Sequence, residues 1–400
     1  MTTIDKIIFF IENPLSQRDY ERFGIDIFRK DGFDVDIWNF TPFLKPDVHK
    51  LVRPPDPSRY ENINLIYRFQ ESDIRLKTMA GKIFIVNFLN YNVKSFPIFR
   101  ALSRHKIPYA VYFGGGLFSK KKKKWRYLRR LKKLKNESLL QLFIYYVNTL
   151  LKKTPSRIWG IAPATFILVR GANSITAKAT SGPTTETVYT HAQDYDIYLR
   201  DKHRPVKKGN FVVFLDEYTP YHPDYVHFKM SPPVTADEYY SSLRRFFDFF
   251  ERKFNMDVVI AAHPRATYSQ KDPVFGDRTV RWGRTCDLVR RSQMVILHCS
   301  TAINFAVLYR KPMTFITTKQ LEDTEYRLFI KDLAAYFDQK PININDRESF
   351  CEIGEFNIPA PKYDRFIFDF IKAGGPKSLP SWKILSNRIR ELNQTPTPRS

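Results

Sequence analysis

An α/β protein of two Rossmann-like domains facing a cleft is predicted by three observations. Short β-branched and aromatic runs alternate with helical patterns, as in parallel sheets covered by helices. That alternation restarts after a polar stretch near the middle of the chain. The 400 residues, 43% hydrophobic, suffice for two cores.

The first domain is placed at 1–204. A strand at Lys6–Ile11, a helix from Ser16 to Asp31 and a strand at Phe33–Trp38 form the opening βαβ unit, with Ser16 as N-cap and Gly32 as stop. Strands at Lys82–Phe88 and Pro108–Phe113 flank a helix at Val93–His105. After Gly114–Gly116, whose spacing does not suit a dinucleotide site, comes a basic segment and a helix at Glu137–Lys153. Thr165–Arg170 and Ile197–Leu199 are expected as the closing strands. The boundary falls in the polar stretch 200–210, RDKHRPVKKGN.

The second domain, 205–378, repeats the pattern. Strands are expected at Phe211–Leu215, Asp257–Ala262, Met294–Leu297 and Pro312–Ile316, and helices at Thr235–Phe254, Thr285–Arg291 and Thr301–Tyr309. Residues 379–400 are read as a helix at Ser381–Leu392 and a tail.

Composition narrows the function classes. Cys286, Cys299 and Cys351 are too dispersed for a zinc ribbon or a disulfide scaffold, which fits a reducing cytoplasm. The apolar run at Ile7–Ile11 is too short for a signal h-region, and Leu139–Leu151 falls below the ~18 residues of a membrane span. No P-loop and no HExxH occurs. The two DxD sequences, Asp34-Val35-Asp36 and Asp194-Tyr195-Asp196, are explained by strand alternation and by a polar loop, so no metal site is expected.

Three strand ends of the second domain concentrate polar chemistry where open α/β sheets bind ligands. FVVFL ends in Asp216-Glu217, carboxylates placed for general-base work. DVVIAA ends in His263-Pro264-Arg265, donors for a phosphate on a restrained turn. MVIL runs through His298-Cys299-Ser300-Thr301 into a helix, offering hydroxyls and free N–H groups to an anion. Each has a plainer explanation: a turn-capping Asp216, a backbone-bonded His263, and Ser300 or Thr301 as a helix N-cap.

The order Asp216-Glu217, His263-Pro264, Ser300-Thr301 resembles the D/E-D/E-G, HP and S-S/T motifs of bacterial GT-B sialyltransferases and polysialyltransferases, over roughly residues 210–318. Related capsule and lipopolysaccharide transferases and glycerophosphotransferases share a similar grammar. The resemblance implies a GT-B-like, metal-independent, inverting glycosyltransferase of surface-polysaccharide synthesis, using a nucleotide-sugar donor, possibly CMP-linked, and a glycan or lipid-linked glycan acceptor. It further implies Asp216 as base and His263, Ser300 and Thr301 on the donor phosphate; Pro264, Arg265 and His298, from the same strand ends, are read with them as the donor-binding set. Tyr218 replaces the motif's Gly, which leaves Asp216 and Glu217 both open as the base. A polyol-phosphate transferase and a nucleotide-sugar 2-epimerase are the enzymatic alternatives, and a polybasic lipid- or RNA-binding protein the non-enzymatic one.

The net charge is 65 − 41 = +24. Residues 120–135 carry eleven cations and no acid, including Lys120, Lys121, Lys122, Lys123, Lys124, Arg126, Arg129 and Arg130. Trp125, Leu128, Leu131 and Leu134 add an apolar stripe, which suits an interfacial helix on anionic lipid. A peripheral position on the inner face of the inner membrane is expected. RNP-type aromatic interleaving is missing, so nucleic acid is not expected as a partner.

Overall fold

The computed structural model of the chain describes residues 3–51, 61–112, 139–174, 179–227, 230–269, 273–351, 353 and 358–394. These residues form two α/β units, divided at Gln193/Asp194 instead of 204/205; residues 372–394 belong to the first unit.

The first unit contains seven strands: β1 (Lys6–Ile11), β2 (Asp34–Asn39), β3 (Ile63–Leu65), β4 (Ile83–Asn87), β5 (Tyr109–Tyr112), β6 (Phe166–Val169) and β7 (Glu186–Tyr189). They pair in parallel in the order β3-β2-β1-β4-β5-β6-β7. β1 feeds both faces, with Ile7, Phe9 and Ile11 in one core and Ile8 and Phe10 in the other. Burial on both faces is why KIIFFI is a continuous apolar run.

The helix expected from Ser16 to Asp31 is two helices, Gln17–Arg22 and Ile25–Lys30, separated by Gly24 at φ +60°. Ser16 caps the first through a capping box with Asp19. The break lies under Trp382 of the last helix, Ser381–Gln394, whose indole N–H donates to the Arg22 carbonyl at 2.5 Å. That helix, expected as an appendage, thus completes the first unit's core through Trp382, Leu385 and Ile389.

Ile197–Leu199 is not a strand. It lies in the helix Gln193–Asp201, where Tyr198 packs on Tyr309 with ring centroids 5.1 Å apart. The first sheet is closed by β7 instead. Asp34 and Asp36 both meet Lys6, at 2.8 and 3.0 Å, which accounts for that DxD as an ion-paired strand.

The second unit has six parallel strands: β8 (Phe211–Leu215), β9 (Asp257–Ala261), β10 (Val280–Arg281), β11 (Met294–Leu297), β12 (Met313–Thr317) and β13 (Ile342–Asn343). Their order is β10-β9-β8-β11-β12-β13. The helix Ala236–Phe254 covers one face with Tyr239, Tyr240, Leu243, Phe246, Phe247 and Phe250, spaced as one helical stripe. The order reverses between β8 and β11, so the crevice beyond their carboxyl ends is the topological switch point of this sheet.

Candidate functional site

Asp216 and Glu217 leave β8 at that switch point and tie down the strand on either side. Asp216 is 4% exposed. Its Oδ1 accepts the Tyr218 N–H at 2.9 Å, and its Oδ2 accepts the His263 N–H at 3.0 Å and the Tyr268 hydroxyl at 2.7 Å. Burial pushes its carboxyl up, and these hydrogen bonds oppose the shift. Asp216, buried and bonded to His263 and Tyr268, thus joins the end of β8 to the segment that follows β9. Tyr218, where the resembling motif has Gly, takes the left-handed conformation at φ +54° that this turn requires.

Glu217 faces the other neighbour. Its Oε1 accepts the Cys299 N–H at 2.7 Å, and the Cys299 thiol donates to Oε2 at 3.4 Å. The side chain is half-buried. Burial, helped by the neighbouring Asp216 charge, raises its carboxyl to about 7. Glu217 therefore has the acidity of a general base at neutral pH. Its charge in turn raises the phenols of Tyr225 and Tyr326, whose hydroxyls meet at 3.1 Å after burial has already pushed both up.

His263 is half-buried, and Pro264 and Arg265 are exposed beside it. The His263 ring lies 4.8 Å, centroid to centroid, from that of His222, and Arg265 pairs with Asp224 at 3.0 Å. His222 in turn packs edge-on against Tyr225, ring centroids 6.1 Å apart. Ser300 is half-buried and Thr301 exposed at the end of β11. Neither caps the helix, which begins at Ile303 with Ala302 as N-cap and spans six residues, Ile303–Leu308. Ser300 Oγ instead accepts the Ala302 N–H at 3.3 Å.

His298 departs from the expectation that it binds donor. It is 1% exposed, its Nε2 meets the Tyr239 hydroxyl at 3.0 Å, and its Nδ1 meets the Ile316 carbonyl at 2.7 Å. Burial lowers its pKa to about 4, which keeps the ring neutral. Alternation along the chain turns residue 298 into the core and residue 299 toward Glu217.

Sequence reasoning left His222, Tyr225, Tyr268 and Tyr326 without roles. His222 was findable, because His222-Pro223 repeats His263-Pro264. The tyrosines carry no local signal, since their placement depends on strand order.

Among the described residues, no group of three or more His, Cys, Asp or Glu stands close enough to hold a metal ion. Lys120–Lys124, Trp125, Arg126, Arg129 and Arg130 lie outside the described residues, as do Gly114–Gly116.

No protein-family model and no curated protein matches the chain. Solved structures with a similar chain course include UDP-GlcNAc 2-epimerase from Methanocaldococcus jannaschii, at 10% identity and TM-score 0.42 over 98% of this chain and 100% of that one. MurG of Acinetobacter baumannii matches at 8% identity and TM-score 0.43 over 98% of each chain. The glycosyltransferase SnogD from Streptomyces nogalater matches at 8% identity and TM-score 0.47, over 98% of this chain and 99% of that one.

Proposed function

We propose that the chain is a glycosyltransferase whose second unit binds the phosphate of a nucleotide-activated sugar at the carboxyl end of its sheet. Glu217 is the general base. The observation that carries this reading is the half-buried Glu217 carboxyl, raised to about 7 at the topological switch point. An acceptor hydroxyl attacks the anomeric carbon, and its proton passes to Glu217 as the new glycosidic bond forms. The anomeric C–O bond to phosphate breaks with inversion, and the leaving phosphate gathers charge. His263 and the hydroxyls of Ser300 and Thr301 supply donors to that charge. Asp216, the first-named base in the resembling motif, holds the His263 backbone in place instead.

A CMP-linked donor and a glycan or lipid-linked glycan acceptor follow from the resemblance of the three motifs, within bacterial capsule or lipopolysaccharide synthesis. An anionic membrane surface on the cytoplasmic side is the proposed location. Support comes from the helix Leu139–Lys153, which directly follows the cationic segment in sequence. Leu139, Phe143, Tyr146 and Leu150 recur along it at positions i, i+4, i+7 and i+11, and all are exposed, Leu139 at 86%. No helix of the described residues is long and apolar enough to cross a membrane.

The test is a thermal-shift screen against CMP, UDP, GDP, CDP and dTDP, followed by product analysis with the corresponding sugar donors. A selective shift by one nucleotide, abolished in His263→Ala, and glycosyl transfer to an acceptor are expected. Release of free sugar without an acceptor identifies an epimerase, and transfer of a phosphorylated polyol identifies the phosphotransferase alternative. Indifference to every nucleotide overturns the proposal.

A further inference from the structure

Two turns at the carboxyl edge of the second sheet share one three-residue design. After β8 the chain reads His222-Pro223-Asp224, and after β9 it reads His263-Pro264-Arg265. In both, the backbone N–H of the third residue donates to the histidine Nδ1 at 3.2 Å. An imidazole whose Nδ1 accepts an N–H carries its proton on Nε2 when neutral. Both rings are therefore set as Nε2–H donors, and they stand 4.8 Å apart with their planes inclined by 61°.

The third residues complete the match with opposite charges. Arg265 donates to Asp224 at 3.0 Å across the two turns. Both side chains are about half exposed, where an ion pair adds little stability. Its consequence is positional, since it latches one turn to the other and holds the rings together.

We propose that His222 and His263 form a two-imidazole clamp for a phosphoryl group, with the Asp224–Arg265 pair as its latch. The proposal rests on the reading of this edge as the donor-phosphate site and adds to it a ligand-contacting residue, His222. Two adjacent imidazoles, each carrying its proton on Nε2, suit the oxygens of one phosphate or of a diphosphate. They do not suit a metal ion, which requires an unprotonated ring nitrogen on each ligand.

Titration calorimetry of the full chain with inorganic pyrophosphate, CMP and UDP tests the clamp. His222→Ala and His263→Ala should each weaken binding of the probe by about tenfold or more, as loss of a hydrogen bond to a charged group does. The double variant should lose less than the product of the two single losses, because both rings hold one group. Asp224→Arg and Arg265→Asp should each weaken binding, and their combination should restore it. Should His222→Ala not fold, nitrogen shifts of both imidazoles on adding pyrophosphate to the unaltered chain give the same answer. Wild-type affinity in His222→Ala, movement of one ring only, or no binding of any probe overturns the clamp. Phosphate binding through both rings without any sugar transfer leaves the clamp standing and removes the transferase reading. Transfer with undiminished donor affinity in His222→Ala does the reverse.

Discussion

Glu217 takes the Cys299 backbone N–H on Oε1 at 2.7 Å and the Cys299 thiol on Oε2 at 3.4 Å. This joins the ends of β8 and β11 at the point where the sheet order reverses. The carboxylate that closes the seam is also the one whose acidity burial weakens. Support of the fold and readiness for chemistry thus meet in one side chain, and the two pull against each other.

That conflict predicts a stability gain on removing the charge. The folded carboxyl titrates near 7, above its ordinary 4.5. Its contribution to stability is therefore full below about 4.5 and is lost as pH rises through about 7, by about 3 kcal/mol. Glu217→Gln retains an acceptor for the Cys299 N–H. Denaturant unfolding should show the variant about 2–3 kcal/mol more stable than wild type at pH 8 and nearly equal to it at pH 5.

His298 should show the opposite slope. Its folded pKa of about 4 lies below the ordinary 6.5, so its contribution is full above 6.5 and is lost as pH falls toward 4. The Glu217 and His298 slopes oppose one another over much of that range, and each becomes visible only in the other's variant. His298→Gln, neutral at every pH, should be less stable than wild type at pH 7 by about 1–3 kcal/mol. Its acid-side loss should be shallower, with the donor KM of the folded fraction unchanged. A raised KM with unaltered stability would instead place the ring on the ligand.

Asp216→Ala removes the acceptor of three hydrogen bonds. Unfolding measurements should show a loss of about 3 kcal/mol, and Tyr268→Phe a loss of about 1–2 kcal/mol. If Asp216→Ala abolishes turnover with undiminished stability, joining those segments is the wrong role.

In the first unit, Gly24 at φ +60° lies against the Trp382 ring, so that an added Cβ would collide with the indole. Gly24→Ala should cost about 2 kcal/mol or more and increase amide exchange in the helix Ser381–Gln394. Unchanged exchange there would separate the glycine from the docking of that helix.

Binding to anionic vesicles should fall on replacing Phe143 and Tyr146 by serine, with unfolding stability preserved because both side chains are exposed. Co-sedimentation with phosphatidylglycerol vesicles reads this directly. Equal sedimentation of variant and wild type would remove the helix from the membrane contact.

The central strands and the helix Thr285–Arg291 were legible because their pattern is local. FVVFL and MVIL are continuous apolar runs, each with two β-branched residues, bounded by polar turns, and they fold at the expected bounds, Phe211–Leu215 and Met294–Leu297. Edge strands were not legible: Val280–Arg281 and Ile342–Asn343 are too short for a period to show. Ile197-Tyr198-Leu199 is apolar enough to pass for a strand, and only the packing of Tyr198 on Tyr309 reveals the helix. The strand ends carrying the site were found because carboxylates, imidazoles and hydroxyls follow directly on buried runs. Which carboxylate is fully buried, and which histidine turns inward, depends on neighbours brought in by the sheet order β9-β8-β11.

The pH dependence of glycosyl transfer by wild type and Glu217→Gln, with the donor selected by the nucleotide screen, tests the base assignment most directly. Wild-type turnover should rise about tenfold per pH unit up to about 7 and then level off. Glu217→Gln, folded and able to bind the nucleotide, should be slower by about 10²–10⁴ and lack that limb. A variant that keeps wild-type turnover and the same pH profile would contradict Glu217 as the base.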